Sequence, residues 1–490
     1  MITDMAFFNP TKCLSPVKSY KHQEQALQLT KSLPHYGFFW EMGCGKSKPI
    51  LETAIWLCMC GEIDGLLVVS DKGCYEGWAR DHVPTFMYSN IQYRCEVYGS
   101  NMGSAQARKV EALFAAQDDV LDILCINVEA LSVGRGIDVA RRFLEAHHSM
   151  MVVDESTSIK SHKAKRTRNV IALGKIAEYR RIATGTPVTQ SPLDLWSQCE
   201  FLSPGILGFK SFTGFKSFFS LMSRVVMGHR TFFQITGYRN LDVLTRTISQ
   251  FTSRITKAEC LDLPPKIYET VYVEHAPEQA QAYREMRDMA VLQVEQGQVT
   301  STLALTLIGK LHQINCGHVR DDSGVTHDIP SNRLSSLISL LEKLPGKVVI
   351  WGHYQRDVEL IMKMIDQTFA PEFAVDYYGE THPRDRILHL QSFRHNPKCR
   401  WFVGTPAAGG KGLNDLVVAN TMIYYANYYD LEDRLQSEDR LHRPGQLDKV
   451  TIIDMVVPRT VDVKILQALR EKRSLASEVL DSRRLLDILD

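Results

Sequence analysis

The chain has 490 residues, 44% hydrophobic and 23% charged, and its 57 Lys and Arg offset 56 Asp and Glu to a net charge of +1. That length calls for two or three units with their own cores, and the charge balance excludes a globally basic protein, so any polyanion must be met by local patches. Eleven cysteines without a C-x-x-C pair point to reducing surroundings, not to a disulfide framework or a common zinc finger.

The first ten residues carry no positive leader ahead of an apolar stretch, and no apolar run nears the roughly 18 residues that cross a bilayer. A cytoplasmic monomer is expected. Apolar runs at 37–40, 66–70, 123–127, 150–154 and 181–184 alternate with helix-like segments, which predicts a buried parallel sheet covered by helices. From 191 to 333 helical patterns dominate, broken at Pro264 and Pro265, as expected of helical insertions and a linker. Within them Phe209, Phe212, Phe215 and Phe219 recur at helical spacing with Phe218 alongside, a pattern that suits a helix core better than a base-stacking surface. His312, Cys316 and His318 lack a second pair of ligands and read as ordinary helix-end residues, so no metal site of protein ligands alone is expected. A second series of runs follows at 347–351, 373–377, 401–403, 421–425 and 450–456. The expectation is an α/β protein with lobes at 1–200 and 331–465, helical protrusions and a linker at 201–330, and a helical tail at 466–490.

Three segments carry chemistry. The run at 37–40 leads into Glu41-Met42-Gly43-Cys44-Gly45-Lys46-Ser47 and then an apolar helix. This is the pattern of a phosphate-binding loop, where glycines let the N–H groups of Gly43, Cys44 and Gly45 face oxygens and the helix N-terminus adds positive potential. Lys46 would reach the β- and γ-phosphates of ATP and Ser47 would hold Mg²⁺. Trp40 stands where the generic pattern has glycine, so a plain strand-turn-helix is the alternative. The run at 150–153 ends in Asp154-Glu155, at the sheet edge where ligands bind. Asp154 would hold Mg²⁺ and Glu155 would orient and deprotonate water; an acidic helix cap is the alternative. The stretch 435–446, LQSEDRLHRPGQ, sets Arg440 and Arg443 three apart, on one helix face, able to project toward charge developing on the γ-phosphate. Two distant parts of the chain would then share one triphosphate.

In order and wording these segments resemble the Swi/Snf family of superfamily-two DNA-dependent ATPases, over about Tyr20 to Gln446. Glu41-Met42-Gly43-x-Gly45-Lys46 is similar to its phosphate loop, Thr184-Gly185-Thr186-Pro187 to its third motif and Gln436 to Gln446 to its last. Tyr20-Lys21-His22-Gln23 resembles the upstream adenine-reading motif, and Trp78 falls where the family has a tryptophan after motif Ia. Ser253 to Lys257 with Leu263 to Lys266 resembles the close of the first helical protrusion, and Lys310 to Asn315 the end of the second. Gly409-Gly410-Lys411-Gly412-Leu413-Asn414 resembles motif V, which touches nucleotide and DNA backbone.

The resemblance implies two RecA-like lobes with Swi/Snf-type insertions, ATP and Mg²⁺ as ligands, and translocation on double-stranded DNA without full unwinding. It places Gln23 on the adenine, Gly412 and Gln436 on the nucleotide, and Thr405, Gly409 and Gly410 on DNA. Ser156-Thr157 departs from the family's Ala-His after the acidic pair. Sequence-neutral gripping needs backbone contacts, and Lys160, Lys163, Lys165, Arg166 and Arg168 follow the acidic pair closely enough to serve; a solvated charged face is the equal alternative. Rival functions are a nucleotide-gated DNA clamp or adaptor and a strand-separating or branch-migrating helicase. With little chain outside the match, the form expected is a compact stand-alone motor, similar to those of bacteria and bacteriophages.

Overall fold

Runs of consecutive apolar residues cannot leave one face in water, and every run named above lies in a parallel sheet. The structure, a computed structural model, describes residues 16–99, 102–132, 134–227, 230–295, 301–409 and 415–480. The described chain divides into two units, the first drawn from Met1–Leu221, Thr236–Leu261 and Leu475–Asp490, the second from Met222–Ile235 and Asp262–Ser474.

The sheet of the first unit contains β1 (His35–Trp40), β2 (Gly65–Ser70), β3 (Gln92–Tyr98), β4 (Val120–Asn127), β5 (Ser149–Asp154), β6 (Tyr179–Ala183) and β7 (Thr252–Ile255). Their order is β3-β4-β2-β5-β6-β1-β7, with every neighbour parallel. Register pairs Asp154 with Ala183 and Phe38 with Ala183, so β5 and β6 end level, β1 runs two residues further to Trp40, and the loops that follow all leave the same sheet edge. That edge, at the carboxyl ends of the strands, is where an open α/β sheet binds ligands. A core of Phe38, Trp40, Leu66, Val68, Ile123 and Val152 covers one face. The helix Ser47–Met59 starts directly after Lys46 and tolerates Pro49 in its first turn, where backbone N–H groups have no helical partner to lose.

The sheet of the second unit contains β8 (Lys266–Tyr272), β9 (Val348–Trp351), β10 (Ala374–Tyr377), β11 (Trp401–Gly404), β12 (Thr421–Tyr424) and β13 (Val450–Val456). Here the order is β8-β13-β12-β9-β11-β10, again all parallel. Side chains alternate faces as strand geometry dictates: Val348 and Ile350 join one core, Val349 and Trp351 the other. A buried charge cluster lies against this sheet. Glu438 meets Lys266 at 2.9 Å and Arg434 at 2.8 Å, and Arg434 also pairs with Asp454.

Residues 201–330, expected to be helical, also supply β7 and β8, one strand to each sheet. Both strands show mixed polar composition because they are edges with residues left partly exposed, so neither has an unbroken apolar run. The phenylalanine pattern is core in part: Phe215 and Phe219 are buried and pack on each other and on Phe209, and Phe215 also meets Trp196, whereas Phe218 is exposed and Phe212 stacks on His162. His312 meets the Tyr354 hydroxyl at 3.0 Å and His318 meets Asp357 at 2.9 Å, and no metal-holding cluster occurs among the described residues. No helix among them is long and apolar enough to cross a membrane.

Candidate active site

The loop after β1 turns twice through the left-handed region, at Gly43 (φ 82°) and Gly45 (φ 75°), conformations that glycine adopts without steric cost. Lys46, 8% exposed, donates its ammonium to the Trp40 carbonyl at 3.1 Å. Gln23 is clamped against the same loop: its Nε2 donates to the Gly45 carbonyl at 3.0 Å and its Oε1 accepts from the Tyr20 N–H at 2.8 Å. His22 Nε2 meets the Cys44 carbonyl at 2.9 Å. The helix Lys21–Thr30 thus carries the two side chains that shape the loop from outside.

Asp154 ends β5, nearly buried at 9% exposure, and its Oδ2 accepts the Trp78 indole N–H at 2.8 Å. His82 packs edge-on to Trp78 at 5.3 Å between centroids; burial lowers its pKa, against the opposing pull of the Asp154 charge. Glu155 sits at φ 52°, strained for a residue with a side chain, and Thr184 donates its hydroxyl to Glu155 Oε2 at 3.1 Å. The Thr184-Gly185-Thr186 turn after β6 packs onto the phosphate-type loop so closely that a Cβ on Gly185 would lie 3.1 Å from the Met42 nitrogen. Ser156 and Thr157 are buried, with Ser156 donating to Gln198 Oε1 at 2.7 Å.

One sheet edge in the first unit therefore brings together Gln23, Gly43, Cys44, Gly45, Lys46, Ser47, Asp154 and Glu155. A buried lysine in a glycine-shaped cradle, beside a carboxylate fixed by an indole, is a donor set that fits a triphosphate with Mg²⁺. The basic segment divides. Lys163, Lys165 and Arg168 are exposed, whereas Lys160 donates to the Thr189 hydroxyl at 2.8 Å and Arg166 pairs with Glu129 and donates to the Ser158 carbonyl.

In the second unit the helix Leu431–Glu438 ends before Arg440, which corrects the expectation that Arg440 and Arg443 share a helix face. Both lie in successive turns that lead to Pro444 and Gly445, the latter at φ 100°, residues that cannot continue a helix without cost. Gln436 is 1% exposed and donates its amide to Glu432 at 3.2 Å. Thr405 and Gly409 are buried and joined by a backbone bond of 2.9 Å, and Thr405 lines a cleft of about 360 Å³ with His353, Ala407 and Tyr428. Gly410 and Gly412 lie outside the described residues.

Sequence reasoning missed the Trp78–Asp154 and Thr184–Glu155 bonds, which join residues 76 and 29 positions apart. The tryptophan's place after motif Ia was the one signal available, and it names no partner.

Residues 15–319 match the family model of the SNF2-related domain, and residues 332–445 match that of the helicase conserved C-terminal domain. The chain belongs to the SNF2-related family. This SNF2-related chain is 28% identical over 423 residues to the TATA-binding protein-associated factor MOT1 of Saccharomyces cerevisiae, covering 72% of this chain and 22% of that protein. It is 27% identical over 342 residues to an uncharacterized ATP-dependent helicase of Mycoplasma pneumoniae (67% and 30%) and 26% identical over 392 residues to the DNA repair and recombination protein RDH54 of S. cerevisiae (74% and 40%). It thus spans 22% to 40% of the length of these relatives. A solved structure, the Sulfolobus solfataricus SWI2/SNF2 ATPase core in complex with dsDNA, is 23% identical with a TM-score of 0.42, covering 95% of this chain and 93% of that one.

Proposed function

We propose that this SNF2-related chain is a DNA-dependent ATPase that couples ATP hydrolysis to movement along double-stranded DNA. The observation that carries the reading is the single sheet edge where the loops after β1, β5 and β6 present Lys46, Asp154, Glu155 and Thr184 together. In this reading the N–H groups of Gly43 to Lys46 cradle the phosphates, Lys46 exchanges the Trp40 carbonyl for phosphate oxygen, and Gln23 reads the adenine. Ser47 and Asp154 would hold Mg²⁺, which supplies positive charge against the β- and γ-oxygens. Glu155, held by Thr184, orients the attacking water and takes its proton. To Arg440 and Arg443 we assign stabilisation of the charge that develops on the γ-phosphate.

DNA would be gripped by its backbone, through the exposed Lys163, Lys165 and Arg168 and through the Thr405 and Gly409 segment. ATP turnover measured with no nucleic acid, duplex, single strand, fork and RNA tests this directly. Duplex should stimulate most, and Lys46→Ala should abolish the stimulated rate; a Lys46→Ala variant with full turnover would refute the assignment. Ser156-Thr157, standing where the family has Ala-His, favours one second reading, a nucleotide-gated clamp, because the histidine that would link hydrolysis to DNA contact is replaced. Displacement of a third strand from triplex DNA separates the two, since a clamp leaves that strand in place.

A further inference from the structure

Cys44, in the middle of the loop after β1, has its sulfur 3.3 Å from that of Cys260. Cys260 closes the short helix Lys257–Cys260 after β7, and the first unit's segment Thr236–Leu261 ends one residue later. The two segments are already joined around the sulfurs. The Lys257 N–H donates to Glu41 Oε2 at 2.9 Å, and the Glu41 N–H donates to the Ile255 carbonyl at 2.8 Å. Neither cysteine is committed to a disulfide; Cys44 is fully buried and Cys260 partly so.

We propose that Cys44 and Cys260 form an oxidisable dithiol, a modification site for peroxide, whose disulfide pins the phosphate loop and stops ATP turnover. The regulatory half rests on the ATPase reading given above. A disulfide needs the sulfurs about 2.05 Å apart, so the pair must close by roughly 1.2 Å, within reach of side-chain rotation and a small loop shift. That shift is the means of inhibition. Cys44 lies between Gly43 and Gly45, whose backbone N–H groups set the phosphate geometry, and a misplacement of about 1 Å costs on the order of 10²-fold in rate.

The chemistry balances with hydrogen peroxide as the oxidant. The more accessible Cys260 sulfur attacks one peroxide oxygen, giving a sulfenic acid and releasing water. The Cys44 sulfur then attacks the Cys260 sulfur, the S–S bond forms, and the sulfenic oxygen leaves as a second water with the remaining thiol proton. Two electrons pass from the sulfurs to peroxide, and a dithiol reductant returns them. Burial raises the pKa of both thiols, and for Cys44 the hydrogen bond with Cys260 adds to it. Thiolate is therefore scarce, and the pair reacts at peroxide doses above those that oxidise ordinary surface thiols such as exposed Cys60.

The test treats the full chain with graded hydrogen peroxide, blocks free thiols, and maps unreduced peptides by mass spectrometry while ATP turnover is read on the same samples. The expected result is a linked peptide holding Cys44 and Cys260, at least a tenfold fall in turnover, and recovery with dithiothreitol. Cys260→Ser should keep the untreated rate and resist peroxide. It retains Cys95 and Cys125, whose thiols are hydrogen-bonded to each other, and so controls for oxidation elsewhere. Absence of the linked peptide at doses far above those that fully oxidise Cys60 overturns the proposal, and so does a linked peptide with unchanged turnover. If the untreated chain hydrolyses no ATP, the ATPase reading fails by itself, and the peptide map still decides whether the dithiol exists.

Discussion

Replacing Trp78 by Phe removes one N–H donor and keeps an aromatic ring in the pocket beside His82. The indole donates to Asp154 Oδ2 at 2.8 Å, with Trp78 fully buried and Asp154 9% exposed. A hydrogen bond to a charged group in such a setting contributes about 1.5–3 kcal/mol. At about 1.4 kcal/mol per decade, its loss should cost roughly 10- to 100-fold in a step that depends on the orientation of Asp154. The expected variant has a lower kcat, a higher Mg²⁺ midpoint and a nearly unchanged KM for ATP, because in the proposed site the loop at Gly43 to Lys46 would hold the triphosphate. The lost indole volume should also lower the melting midpoint slightly, so folding is checked by circular dichroism. A folded Trp78→Phe protein with kcat within about twofold of the parent and an unchanged Mg²⁺ titration would refute the argument that the indole positions this carboxylate.

Gly45→Ala should weaken ATP binding by at least tenfold in a nucleotide titration, since its Cβ would lie 2.3 Å from Gln23 Nε2 at φ +75° and the left-handed backbone costs a further ~1–2 kcal/mol; parent-like affinity would show that the loop does not need this shape. Thr184→Val keeps the volume but removes the hydroxyl donor to Glu155, and a fall in kcat of about tenfold at constant KM is expected; steady-state kinetics would expose a shift in KM instead. The Glu438 cluster sets an acid limit for the second unit. Burial favours the neutral acid, but Lys266 and Arg434 outweigh it and hold the Glu438 carboxyl well below its ordinary value of 4.5. A depressed folded-state pKa adds stability above about pH 4.5 that is lost as pH falls from there toward the folded value. Melting midpoints should therefore drop below that pH. Glu438→Gln should flatten this limb and lower the neutral-pH midpoint, because it strands buried cations at a cost of about 3–5 kcal/mol; an unaltered acid limb would assign the effect to other carboxylates.

Much of the site was legible because a phosphate-type loop is local chemistry. Gly43, Gly45, Lys46 and Ser47 of the candidate site lie within one turn of chain, and Asp154-Glu155 closes an apolar strand whose burial follows from Met150 to Val153. The helix face expected for Arg440 and Arg443 failed because the helix ends at Glu438, before either arginine is reached, and Pro444 and Gly445 keep the turns that follow from resuming it.

Sequence alone settled the buried strands and the glycine-shaped loop, because a continuous apolar run or a left-handed turn constrains its own residues whatever lies around it. Only the tertiary structure chose the edge strands β3, β7 and β8, whose half-exposed residues carry a weak pattern, and the partners that meet across long stretches of chain. Trp78 on Asp154, Thr184 on Glu155 and Cys44 beside Cys260 each arise where strand register brings loops to one sheet edge. Their energies depend on burial and on distances of about 3 Å, quantities that the order of residues leaves open until the sheet has formed.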